Sequence, residues 1–189
     1  MTATINIQEI LSGAVTSASN RFQSIIPRAC RDAVELGRTR LVEHTHLISA
    51  IISEGGGIGG AIIKDHLNTK EILELRQMLC ENDFMKDHST SNEYTQDLAR
   101  ELREKNELVG NPLDIAVFSS SFYTVIQRAL KIGDEVGSKT LGTGEILAAV
   151  LDTYRSDPRV KLFIRETSLN YELVMGKLKE IYSHRTRWH

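Results

Sequence analysis

Two cysteines, Cys30 and Cys80, lie far apart in the chain, a usage that predicts buried free thiols in a reducing cytosol and no disulfide framework. Long apolar runs are missing, since none approaches the roughly 18 residues that a membrane helix needs. The opening Met-Thr-Ala-Thr-Ile-Asn has neither the basic start nor the apolar stretch of a signal peptide, so a cytoplasmic location is expected. Neither sign of charge dominates. Lys and Arg number 23 against 25 Asp and Glu, a net charge of -2 that gives no global attraction for nucleic acid or an anionic membrane. A Gly-x-x-x-x-Gly-Lys-Ser/Thr loop is absent, which argues against an ATPase module. Ser119-Ser120-Ser121 has no Gly-x-Ser-x-Gly turn and no evident base partner, so it reads as helix capping. Alternating apolar positions bounded by turns are lacking, so a sheet is not expected.

What is present is an internal repeat. A shift of one hundred lays Phe22 on Phe122, Ile26 on Ile126, Arg28 on Arg128, Ala29 on Ala129, Glu35 on Glu135 and Gly37 on Gly137. One residue is then lost, and residues 47–52 lie over residues 146–151. The copies meet again at Leu67-Asn68 and Leu169-Asn170.

The periodicity predicts an all-α fold. Residues 1–19 form an amphipathic extension, with Ile7, Ile10, Leu11, Ala14 and Val15 on one helical face. Residues 20–82 hold the first copy. Its first helix carries Phe22, Ile25, Ile26, Ala29, Ala33 and Leu36 inward and stops at Gly37; Pro27 predicts a regular start near Ser24 or a bend. A second helix begins near Glu43, residues 55–60 form a loop before a short helix through Ile62 and Ile63, and Asn68 caps a fourth helix. Residues 83–116 are a charged insertion with a solvated helix. Residues 117–183 repeat the plan, with caps at Ser120 or Ser121, Thr143, Asp157 before Pro158, and Asn170. Residues 184–189 form a basic, frayed tail.

Three patterns suggest chemistry, and each has a plainer reading. Gly55-Gly56-Gly57-Ile58-Gly59-Gly60 satisfies G-x-G-x-x-G but follows a helix rather than a strand, so it reads as a flexible loop and no cofactor is expected. Glu43-x-x-His46 has di-iron spacing without a second motif, and His44, His46 and His66 do not converge, so no metal is expected. Residues 36–52 could be a helix-turn-helix with Arg38 and Arg40 on phosphate, but its turn is too long and the charge is acidic.

Four helices twice, with Leu36-Gly37 and Val136-Gly137 turns leading to Thr45-His46-Leu47-Ile48 and Leu141-Gly142-Thr143-Gly144-Glu145-Ile146, resemble the double repeat of the Clp N-terminal domain. That domain precedes the ATPase modules of Clp/Hsp100 unfoldases. The resemblance spans roughly residues 20–183 and implies two pseudo-symmetric four-helix halves, packed through their first and second helices around a groove. It implies a non-catalytic protein- or peptide-recognition module, acting as adaptor, substrate binder or regulator beside a Clp-type unfoldase or protease. An isolated N-terminal domain of a longer Clp ATPase, including the secretion-sheath-binding type, is the alternative. Position in the motif nominates Glu43, His44, Thr45, Thr143 and Glu145 for binding. Some family members read phosphoarginine through a motif glutamate; the corresponding positions here are Thr45 and Gly144, with Glu43 and Glu145 nearby.

Overall fold

The computed structural model describes residues 18–67, 72–81 and 116–185. Those residues are mostly helical. The first helix, α1 (Asn20–Glu35), opens on an extended Ser19 whose Oγ accepts the Phe22 N–H at 3.1 Å. Ser119 opens α5 (Ser120–Val136) the same way, accepting from Phe122 N at 3.2 Å, one residue before the caps expected at Ser120 or Ser121. α1 runs unbroken through Pro27, where the sequence predicts a later start or a bend. Phe22, Ile25 and Ile26 before the proline and Ala29 and Ala33 after it are all buried, and that continuous face outweighs one missing hydrogen bond. Gly37 is not the helix cap, which is Leu36. A Cβ there would sit 2.7 Å from Cys80 O and 2.9 Å from Ala33 O, so glycine is required by close packing. Its repeat partner Gly137 is the reverse case, a left-handed cap at φ 73° with open space around it.

The second helix of each group, α2 (His44–Glu54) and later α6 (Thr143–Thr153), is buried from His44 to Ile52 and from Thr143 to Leu151. A helix enclosed on all sides is a core helix, and these two pack on each other. α3 (Gly57–Lys64) begins at the third residue of the glycine run, so that run is not the flexible loop predicted from composition. Gly59 is there for contact: a Cβ would lie 2.5 Å from Thr143 O, and Gly59 N donates to Thr143 Oγ1 at 3.0 Å. Gly59→Ala is therefore expected to lower unfolding free energy by about 2 kcal/mol. Gly176→Ala, at an exposed position with nothing within 4 Å, is expected to raise it by about 0.5–1 kcal/mol. Urea denaturation of both variants checks the opposite signs.

α4 (Ile72–Cys80), α7 (Pro158–Thr167) and α8 (Tyr171–Arg185) complete the described helices. Asp157 caps α7 with Pro158 at its first turn, and Asn170 Oδ1 accepts Leu173 N at 2.9 Å, both as expected. α8 continues to Arg185, so His184 and Arg185 belong to a helix and not to the predicted frayed tail. Within the first group, α2 packs on α1, α3 and α4; in the second, α6 packs on α5 and α8. Between groups, α2 packs on α5 and α6, α3 on α6 and α7 on α4, so the third helices join the first and second helices expected to form this contact.

A sheet, unexpected from the sequence, is present in minimal form. Strands β1 (Leu41–Val42) and β2 (Val117–Phe118) pair in parallel, with Val117 N on Arg40 O at 2.8 Å and Ser119 N on Val42 O at 3.0 Å. A matching bridge joins Ala18 to Leu141. These pairings tie the approach to each first helix to the approach to the other group's second helix. Cys30 and Cys80 are free and buried, and burial pushes both thiols up to about 12. The amphipathic segment 6–17, most of the charged insertion, the Asn68 cap and residues 186–189 lie outside the described residues.

Candidate functional site

The five residues nominated from the motif lie at the N-termini of α2 and α6, and four of them are buried. Glu43 is the N-cap of α2. Its N–H donates to His46 Nδ1 at 2.9 Å, which places the imidazole proton on Nε2. Burial, with Arg159 and His44 adding to it, pushes His46 from the usual 6.5 down to about 3, so the ring is neutral. The Glu43-x-x-His46 spacing is thus a capping device. Among the described residues no three His, Cys, Asp or Glu side chains converge as a metal site would require.

His44 is a crossing point between the two helix groups. It is 3% exposed and its ring stacks on Tyr154, centroids 3.9 Å apart at 13°. Nδ1 lies 3.1 Å from Ser121 Oγ, and Nε2 lies 3.2 Å from Asp157 Oδ2 without hydrogen-bond alignment. Asp157 also accepts Arg159 N at 2.8 Å, while Arg159 Nη1 donates to Glu43 Oε2 at 3.1 Å. Burial alone would raise Asp157, but His44, the Arg159 amide and the Arg159 guanidinium hold its carboxyl well below the usual range.

The structure therefore supplies the base partner that the sequence did not show for Ser121. The order Ser121, His44, Asp157 resembles a hydrolytic relay. Its parts are already engaged, however. Ser121 Oγ accepts His44 N at 3.3 Å and pairs with Ser119 Oγ at 2.8 Å, and Tyr154 covers the imidazole. In this conformation the three residues tie α2 to α5 and α7.

Thr143 is not the cap of α6; Gly142 is, and its N–H donates to Glu145 Oε2 at 3.1 Å. Thr143 Oγ1 is thereby left to receive Gly59 N from α3. Glu145 is fully buried, and its Oε1 accepts Tyr182 OH from α8 at 2.6 Å. Thr45 is enclosed, with no hydrogen-bond partner for its hydroxyl. Glu43, His44, Thr143 and Glu145 are thus spent on internal ties. Arg159, Asp157, Tyr154 and Tyr182 complete the network; the sequence showed Asp157 only as a helix cap and did not mark the other three, because none stands in the repeat motif.

Among the described residues, an open surface lies elsewhere. A groove of about 530 Å³ runs between α3 and α8. Ile58, Ala61 and Ile62 line one wall, and Ile181 and His184 the other. At one end Lys177 Nζ meets Asp65 Oδ2 at 3.4 Å. The helix-turn-helix alternative fares poorly, because the helix that would enter a DNA groove is α2, buried from His44 to Ile52. No single described helix is long and apolar enough to cross a membrane. Compared with models of known protein families, the chain matches none. No curated protein matches it either.

Proposed function

We propose that the chain is a non-catalytic recognition module of the Clp N-terminal-domain kind, binding a protein or peptide in partnership with a Clp-type unfoldase or protease. In this reading the two helix groups are copies of one four-helix unit. Support comes from devices that recur at the repeat spacing. Ser19 and Ser119 cap by the same bond to Phe22 and Phe122. Arg28 and Arg128 both reach the end of the following helix, at Ser53 and at Asp152. The Val42–Phe118 pair has its counterpart in Leu141–Ala18.

The observation that carries the functional reading is the groove between α3 and α8, an apolar trough with a charged rim on a fold whose candidate reactive groups are bonded to one another. Such a surface suits an amphipathic segment with aliphatic anchors. Recognition thus shifts from the five motif residues, of which Thr143 and Glu145 are bonded to the wall helices α3 and α8, to Ile58, Ala61 and Ile181, which line the groove.

The test is retention of a purified Clp-type ATPase or peptidase subunit from the same cytosol on the immobilised chain. Retention is expected, with Ala61→Glu, at an exposed position in the groove, weakening it at least tenfold. Equal retention by Ala61→Glu, or none by either protein, overturns the assignment.

A further inference from the structure

The α3–α8 groove has two helical walls on one support. Both walls pack on α6, and a Cβ at Gly144 of α6 would lie 3.0 Å from Ile58 Cγ2 of one wall and 2.7 Å from Leu178 Cδ2 of the other. Glycine there lets both walls close on the support, so the trough has a floor. The walls also decide the form of an occupant. An extended segment binds by main-chain hydrogen bonds to a free sheet edge, and helix interiors offer none, because their N–H and C=O groups are paired within the helix. A helix satisfies its own backbone and needs only side-chain contacts. The apolar lining suits one: Ile58, Ala61 and Ile62 stand at i, i+3 and i+4 on α3, facing Ile181 on α8.

The charges along the groove do not cancel. Four lining side chains are ionisable: Asp65, Lys177, Glu180 and His184. Asp65 and Lys177 compensate each other at 3.4 Å. Glu180 stands between Lys177 and His184 on the same face of α8, and it is exposed. Its carboxylate has no ion-pair or hydrogen-bond partner among the described residues. An acidic segment would be repelled by it, while a cationic one completes the pair.

We infer that the groove selects a helical peptide segment whose aliphatic face carries a Lys or Arg beside it, the aliphatic side chains on Ile58, Ala61 and Ile181 and the cation on Glu180. This rests on the recognition reading above and gives the partner its chemistry. The apolar contacts supply the hold, and the exposed ion pair supplies the choice between partners.

A display selection on the immobilised full chain tests it. The probe is a library of helical peptides of about 14 residues, with Leu fixed at helical spacing and Lys, Glu or Gln allowed at the flanking positions. Groove binders are the clones lost on Ala61→Trp, which fills the trough from an exposed position. They are expected to carry Lys over Glu about fivefold at one flanking position, and Glu180→Lys is expected to reverse that preference. Groove binders without a Lys preference, a preference unchanged by Glu180→Lys, or no clone lost on Ala61→Trp each overturn the inference. No Clp subunit enters this selection. A Clp subunit retained through the groove by a chain that selects no cationic helix removes this inference and keeps the recognition reading. A cationic helix selected with no Clp subunit retained does the reverse.

Discussion

Asp32→Ala is expected to destabilise the protein by about 3–5 kcal/mol, read as a lower urea midpoint at unchanged slope. Asp32 is buried on α1, and its Oδ1 receives Arg76 Nη2 from α4 at 2.7 Å. Its other oxygen accepts the Ser49 hydroxyl of α2, and Arg76 Nε reaches the same hydroxyl at 3.4 Å. Removing the carboxylate leaves a largely buried guanidinium without its counter-ion, and the cost comes from that stranded charge. Replacing the whole cluster is different. The repeat sets Ile132, Ala148 and Leu178 against Asp32, Ser49 and Arg76, and all three are buried in the core. The triple change Asp32→Ile, Ser49→Ala, Arg76→Leu is expected to fall within about 1 kcal/mol of the original, since apolar replacement of a buried ion pair is often neutral or better. A triple variant as unstable as Asp32→Ala would show that the polar cluster does more than compensate its own charges.

Acid is expected to unfold the protein early, through His46. The imidazole is held neutral with its pKa near 3, whereas in the unfolded chain it titrates near 6.5. Between those values the unfolded state binds the extra proton, so stability falls as pH is lowered through 6.5 and keeps falling toward 3. From pH 6.5 to about 4.5 this one group removes about 2 kcal/mol. Asp157 adds a loss of the same sign at lower pH. Its carboxyl is depressed in the fold, so its contribution is present above the ordinary carboxylate value and disappears as the folded group protonates. His46→Gln keeps an acceptor for Glu43 N and cannot ionise. Its denaturation midpoint should vary much less with pH between 6.5 and 4.5, and an unchanged pH slope would remove His46 as the cause.

The helices were legible because their signals are local. Apolar spacing in α1, α5 and α7, and the Asp157-Pro158 and Asn170 caps, can be read from a few neighbouring residues. Several assignments slipped because the deciding partner lies far along the chain. Thr143 looks like a cap until Gly59 takes its hydroxyl, and the glycine run looks like a loop until α6 presses against it. Ser121 seems alone until His44 and Asp157 arrive from two other elements. The motif located the N-termini of α2 and α6 correctly, but one dimension does not tell a side chain that faces a ligand from one that faces its own fold. Asp32 illustrates the limit: nothing in its neighbourhood marks it as buried, because its partner is on α4.

The two helix groups overlap like a lap joint. α3 lies on α6, α7 lies on α4, and the approach to each first helix is stitched to the other side. Prising one group away from the other must strip both overlaps together. Heat or denaturant should therefore take the two described helix groups apart in a single step.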